Sequence, residues 1–416
     1  MAGCCLAIVA PGRREIVFQG EDAPGSGRSV TDRTWFQAAS SGKHLMACVI
    51  LELATRGALS LSAPIGEYLG DLPSTWADRS LRSLLNHTSG LPEYLDYSDD
   101  ELPPNTRAQF MKRAGELPPI APEGACWSYS NSNYILLGFV AAQVGGQPAG
   151  VLIGDLLHRV GVTGARVATP DWARAANAAA WPAETRDHES LAREVIGDGD
   201  VAFTAQGAAD WLERLLACEA VPGSTGAELF EPAQAQDRAV PYGAGWFLET
   251  LDGAPLAHHG GHYDGWTAMV YLNQARRSGV FALSNHAPGT TRHIRWLALA
   301  ALEAFDPGAT PLIQAAIEDE RPDLTATARA QLLRDDRSAE REWFAPEFQI
   351  AIDRAGPVRG PVNFWAGEPP DAFELVQDHH ADGSRMRRYR MTYPGRREFL
   401  NVGTTPDDRI HWAWPL

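Results

Sequence analysis

The chain has 416 residues, 44% of them hydrophobic and 21% charged, with a formal net charge of −16. That length exceeds what one compact core sustains and predicts two or three folding units in an ordinary soluble globular protein. The acidic balance argues against nucleic acid or an anionic membrane as a partner, and no run reaches the ~18–20 apolar residues of a membrane span.

In chain order, Cys4–Val9 and Glu15–Phe18 read as strands split by a turn at Pro11-Gly12. The apolar run at Cys4–Ala10 is too short and unflanked for a secretion signal, so the chain is expected to be cytoplasmic. The five cysteines, Cys4, Cys5, Cys48, Cys126 and Cys218, lack metal-ligand spacing and read as reduced thiols. Trp35–Gln37 is a third extended piece. Ser40–Arg56 then reads as one largely buried helix stopped by Gly57. Between about 76 and 235 the pattern turns helical, at Leu81–Leu85, Arg107–Ala114, Tyr134–Val144 and Ala205–Ala217. Strands return at Gly245–Glu249, Ala268–Leu272 and Val280–Leu283, followed by an amphipathic helix at Thr290–Phe305. Strands at both ends of a helical middle predict one discontinuous α/β (α+β) domain over 1–308, with an all-helical domain inserted at about 76–235. Asp306-Pro307-Gly308 breaks the chain. Residues 309–416 are expected to form a small α+β module, with a helix at Asp323–Arg334 and strands at Phe348–Ile352, Phe373–Gln377, Met386–Thr392 and Arg397–Val402. Asp382-Gly383 supplies a hairpin turn.

Chemistry concentrates in three short runs. Lys43 and Lys112 are the only two lysines, and Lys43 stands three residues after Ser40. On a helix this pair shares a face. Arginine cannot deprotonate near neutral pH, whereas a lysine that is buried at the positive end of a helix can lose its proton and act as a base. Ser40 therefore reads as a nucleophile and Lys43 as its base. The alternative is a serine N-cap beside a snorkelling lysine. In Tyr129-Ser130-Asn131, the tyrosine could relay a proton to a leaving group and the asparagine could hold a substrate amide, unless the run is merely a helix cap beside a buried tyrosine. In His258-His259-Gly260-Gly261-His262, adjacent glycines allow close backbone approach, and a main-chain N–H there could complete an oxyanion hole with that of Ser40. A polar turn is the plain alternative. A metal centre is the competing chemical one, against which no carboxylate or cysteine completes a ligand set.

These three runs, in this order, resemble the serine β-lactamase and penicillin-binding-protein superfamily, in its class C, D-aminopeptidase and esterase branch. Leu84-Leu85-Asn86-His87-Thr88-Ser89-Gly90-Leu91-Pro92-Glu93-Tyr94, the glycine-rich turn at Gly197–Asp210, and Tyr242-Gly243-Ala244-Gly245-Trp246 extend the likeness over residues 3–305. It implies a β-lactamase-like fold, a central antiparallel sheet flanked by helices with the helical domain inserted. It implies Ser40 as acyl-forming nucleophile, Lys43 as base, Tyr129 as general base and acid, and Asn131 as the substrate-amide contact. His259 takes the first position of the third motif, and His262 supplies the oxyanion N–H. The third motif departs from the family's Lys-Thr-Gly. A histidine there is mostly neutral, so an ester, amide or amine-bearing peptide is a better candidate substrate than a β-lactam or a D-Ala-D-Ala terminus.

The leading expectation is a serine acyl-transfer enzyme without cofactor or metal. It would act on a small-molecule ester or amide and pass the acyl group to water, an amine or an alcohol, in small-molecule biosynthesis. A D-aminopeptidase- or β-lactamase-type amide hydrolase, a non-catalytic ligand-binding protein on the same scaffold, and a histidine-based metallohydrolase are the alternatives. Gly261, Tyr94, Tyr97, Trp127 and Trp266 are candidate substrate contacts, against a packing role for the aromatics.

Overall fold

The computed structural model describes residues 2–96, 104–167, 194–251, 254–263, 265–286, 292–333, 341–354, 369–381 and 383–416. Strand β1 (Cys4–Ala10) shows how the sheet is made. Cys5, Ala7 and Val9 enter the main core while Leu6, Ile8 and Ala10 enter a second one, so both faces of the strand are covered. Beside it lie β2 (Arg13–Gln19) on the outer edge and, on the inner side, β11 (Ser278–Ser284), β10 (Trp266–Asn273), β9 (Ala254–Tyr263) and β8 (Phe247–Leu251). The six form one antiparallel sheet in the order β2-β1-β11-β10-β9-β8.

Helix α1 (Lys43–Thr55) is buried from Lys43 to Leu53, as its nearly unbroken apolar sequence requires. It packs in the main core with α2 (Leu81–Leu85), α4 (Asn131–Gly145) and α5 (Ala149–Arg159). Helix α3 (Arg107–Ala114) starts at a capping box of Thr106 and Gln109. Helix α6 (Ala205–Leu216) is capped by Thr204. The opposite face of the sheet is covered by α7 (Arg292–Phe305), through Ile294, Ala298, Leu302 and Phe305. The inserted region is not all-helical. Strands β4 (Ala165–Val167) and β5 (Val201–Phe203) join β3 (Phe36–Gln37) in a small sheet, and β6 (Ala233–Ala235) pairs with β7 (Arg238–Val240). Among the described residues no single helix is long and apolar enough to cross a membrane.

The C-terminal module has helices α8 (Pro322–Leu332) and α9 (Pro346–Arg354) and an antiparallel meander of β12 (Ala372–Ala381), β13 (Ser384–Tyr393), β14 (Arg396–Thr404) and β15 (Ile410–Pro415). Phe348–Ile352, expected as a strand, is helical. Pro346 opens the helix, and Phe348 packs there against the module's own core beside Ile352. The module docks on the preceding domain through Val376, Phe399 and Leu416 in the second core, through an ion pair of Arg238 with Glu347, and through buried Arg388, 3.5 Å from Glu249. The Asp382 half of the expected hairpin turn and the start of the Thr290–Phe305 helix lie outside the described residues.

Candidate active site

The chain reaches Ser40 through a strained turn. Ala39 has φ 47°, in the left-handed region that residues with a Cβ seldom adopt. A 3-10 turn over Ala39–Gly42 then runs into α1. So Ser40 and Lys43 sit on a tighter turn than the regular helix read from sequence. The turn is gripped from two sides. A Cβ on Gly199 would lie 2.5 Å from the Ala39 carbonyl carbon, and one on Gly261 would lie 2.0 Å from the Ala38 carbonyl oxygen. Only glycine permits these approaches. Ser41 Oγ donates to the His259 carbonyl at 3.0 Å, and Ser41 is fully buried. Ser40 remains half-exposed. Of the two adjacent serines, Ser40 is therefore the one open to a substrate.

Lys43 is fully buried, and its Nζ has three neighbours. It donates to Asn131 Oδ1 at 2.7 Å and to the Asp198 carbonyl at 2.6 Å, and Ser40 Oγ lies 3.1 Å away. The first two oxygens can only accept, so they take two N–H bonds in either protonation state. A neutral amine then points its lone pair at Ser40, whose O–H donates to it. A protonated amine donates instead. Losing the proton reverses one hydrogen bond and breaks none. Burial pushes the Lys43 pKa down to about 8, against the opposing pull of Asp198, Glu93 and Asp200. Asp198 is placed by the small sheet. Phe36 pairs with Phe203, and Ala38 N–H donates to the Val201 carbonyl at 2.8 Å, which draws the Gly197–Asp200 loop under the nucleophile turn. Glu93 accepts the Asn131 N–H at 2.6 Å and so fixes the start of α4.

Tyr129 lies beside this pair, its ring 4.9 Å from Lys43 Nζ. Its hydroxyl is buried and makes no hydrogen bond to a described residue, with Ser40 as polar neighbour. Burial raises its pKa well above the usual phenol range, so Tyr129 is a neutral proton donor.

His259 is differently placed. Its Nδ1 lies 2.7 Å from the Gly260 carbonyl, which can only accept, so Nδ1 carries the proton. Nε2 must then accept from the Tyr242 hydroxyl at 3.2 Å. Tyr242 in turn meets His87 Nε2 at 3.2 Å, while His87 Nδ1 accepts the Ser130 N–H at 3.2 Å. The three side chains form a one-way chain of neutral hydrogen bonds from His87 through Tyr242 to His259. Burial, with Lys43 nearby, pushes the His259 pKa down to about 3. His259 therefore adjoins the cluster of Ser40, Lys43 and Tyr129 without a free ring nitrogen to offer a ligand.

Ser40, Lys43, Tyr129 and Asn131 converge as the sequence predicted, but Asn131 directs its Oδ1 to Lys43. Gly261 backs the nucleophile turn, and the next residue, His262, is exposed on β9 opposite Thr267. Two expected pocket walls belong elsewhere. Trp266 is 3% exposed and meets Phe36 edge-on at 6.0 Å in the core. Tyr94 is 5% exposed and reaches Asp198 Oδ2 at 3.4 Å, supporting the loop beneath Lys43. Trp127 is half-exposed beside Tyr129, and Tyr97 lies outside the described residues. The His258–His262 run is strand rather than turn, so consecutive histidines face opposite ways. His258 stacks on Phe247 at 5.4 Å, and no group of three potential metal ligands forms among the described residues. Sequence reasoning placed Glu93, Asp198, Asp200, His87 and Tyr242 in motif segments without giving them a role at Lys43 or His259, and it missed the tryptophans of β15. The two acids alternating with glycine in Gly197–Asp200 were the available signal.

The family model for Beta-lactamase matches residues 3–305. The chain belongs to the β-lactamase family. The match ends before the C-terminal module. Over 150 residues it is 31% identical to the putative penicillin-binding protein PbpX of Bacillus subtilis (strain 168), covering 33% of this chain and 36% of that one. Over 177 residues it is 30% identical to esterase EstB of Burkholderia gladioli, covering 36% of this chain and 43% of the relative. The chain thus spans less than half the length of each of these curated relatives. A solved β-lactamase/D-alanine carboxypeptidase from Pseudomonas syringae has the same fold, with a TM-score of 0.59 at 17% identity over 70% of this chain and 91% of that one.

Proposed function

We propose that this β-lactamase-family chain is an acyl-transfer enzyme that forms an acyl-enzyme on Ser40 from a small-molecule ester or amide. The observation that carries the reading is the coordination of Lys43, whose two N–H bonds end on obligate acceptors and whose third direction faces Ser40 Oγ. Ser40 Oγ bonds to the acyl carbon as its proton passes to Lys43. The oxyanion rests on the main-chain N–H groups of Ser40 and His262. The bond to the leaving group then breaks, with Tyr129 supplying its hydroxyl proton to the departing atom and recovering one from Lys43. Water, an amine or an alcohol returns a proton by the same route and takes the acyl group. A neutral His259 leaves the third motif without a cation for a substrate carboxylate, which favours esters and neutral amides over β-lactams. A half-exposed Asp198 beside the site favours, as second reading, an amide bearing a free amine.

Treatment with a fluorophosphonate followed by intact mass and peptide mapping tests the reading. One adduct on Ser40, absent in Ser40→Ala, is the expected result. A folded wild-type protein that takes no adduct would instead be a binding protein on this scaffold.

A further inference from the structure

We propose that the last strand of the chain selects the leaving group, and hence the acceptor, through Trp414 acting together with Trp127. The inference rests on the acyl-enzyme reading above. Tyr129 and Trp127 stand two residues apart, with ring centroids 6.5 Å apart. Trp127 then meets the rings of Trp412 at 4.8 Å and Trp414 at 5.7 Å, both nearly edge-on. Trp414 lies flat on Phe247 at 4.4 Å, with 16° between the planes. Trp412 is 2% exposed and anchors β15 in the seam together with Tyr242, Phe247 and Met386. Tyr129, Trp127 and Trp414 are each only partly buried. A continuous aromatic surface thus runs from the neighbour of Ser40 onto a module that lies beyond the family match.

The direction of proton transfer says which part of the substrate meets that surface. Tyr129 gives its proton to the departing atom, so the leaving group occupies the Tyr129 side of the acyl carbon. The acceptor must enter the same space in the second half-reaction, because it hands its proton to the same residue. Trp127 and Trp414 extend this side, with Trp414 stacked on Phe247 of β8. A flat, aromatic leaving group or acceptor fits such a wall, since stacked and edge-on ring pairs are stabilised beyond their area burial. The wall also excludes water from the place where the acceptor attacks. The C-terminal module would then bias the enzyme toward transfer and away from hydrolysis.

Two ester series separate the leaving-group side from the acyl side. Phenyl acetate and ethyl acetate share an acyl group, whereas p-nitrophenyl acetate, butyrate and octanoate share a leaving group. In Trp414→Ala the phenyl-to-ethyl ratio of kcat/KM is expected to fall about tenfold, chiefly through KM for the phenyl ester. Trp414→Phe restores most of it, and the acyl-length profile keeps its shape. An unchanged ratio in folded Trp414→Ala overturns the proposal, as does a change confined to the acyl-length profile. If Trp414→Ala does not fold, Trp414→Leu, which keeps apolar bulk without a flat face, carries the same comparison. A wild-type protein that turns over none of these esters and takes no fluorophosphonate on Ser40 sinks the underlying reading as well. Labelling on Ser40 with an unaltered ratio sinks the tryptophan proposal alone.

Discussion

Two buried bases flank Ser40 and end in different states. Lys43 is 0% exposed and His259 is 2% exposed, so desolvation works against the charged form of both. Lys43 faces the carboxylates of Asp198, Glu93 and Asp200, which hold its pKa at about 8. His259 meets only a hydroxyl and a carbonyl, with the charge of Lys43 against it, and drops to about 3. Burial by itself silences a base. Burial balanced by counter-charges leaves one that can switch near working pH, and that balance separates Lys43 from His259.

The comparison breaks most visibly at Lys43. Lys43→Ala is expected to slow fluorophosphonate labelling of Ser40 about a thousandfold. Lys43→Arg should do no better, because a guanidinium does not give up its proton. Labelling of either variant at wild-type rate would remove Lys43 from the mechanism.

Acid stability probes the silenced bases together. His44, His258 and His259 all have folded pKa values below the ordinary 6.5. The unfolded chain therefore binds protons that the folded one refuses, and stability that is complete above 6.5 is lost as the pH falls toward the folded values. Glu249 works in the opposite sense. Burial raises its pKa from 4.5 to about 7, so within that window it favours the folded state as pH falls. It is one group against five, since His379 and His411 are also held below 6.5. Tm measured from about pH 7.5 down to about pH 5 should fall, and a flat profile would show that the histidines are not held neutral.

Tyr242→Phe cuts the chain from His87 to His259 without touching Lys43. It leaves a buried donor and a buried acceptor unpaired, a cost of about 1–3 kcal/mol. Denaturant unfolding should register that loss while Ser40 labelling slows by no more than about threefold. A collapse of labelling in a folded variant would assign His259 a direct part in the chemistry.

The finest test adjusts the counter-charge itself. Labelling of the wild-type protein should rise with pH through about 8, as Lys43 loses its proton. Asp200→Asn removes one opposing charge, so this rise should move to lower pH and the rate near neutrality should increase about threefold. A shift toward higher pH would contradict the account of Lys43.

Some of this was legible along the chain. Ser40, Lys43, Tyr129 and Asn131 announce themselves because each is a side-chain type its task requires, at a spacing that local backbone geometry can honour. The sheet strands at Val280–Leu283 and Ala268–Leu272 were readable for a similar reason, since apolar runs between turn signals have few alternatives. The run Phe348–Ile352 misled because its alternating apolar residues mimic a strand, while Phe348 and Ile352 also share one helix face that the module core covers. In the histidine and glycine run the turn, held as the plain alternative, gives way to strand. Its glycines suggest a turn, but Gly261 instead lets β9 lie against the turn that carries Ser40.

The sequence by itself determined that Ser40 and Lys43 share one turn and how a sheet is laid out around a largely helical insertion, because those depend on residue type and short-range period. The tertiary structure alone decided the protonation states. A pKa is set by whatever surrounds the group, and around Lys43 that means a main-chain carbonyl and carboxylates drawn from loops 50 to 157 positions away in the chain. It also decided that the last strand packs against Trp127, beside Tyr129, since nothing in a Trp-Ala-Trp run near the end of the chain says which surface the module will meet.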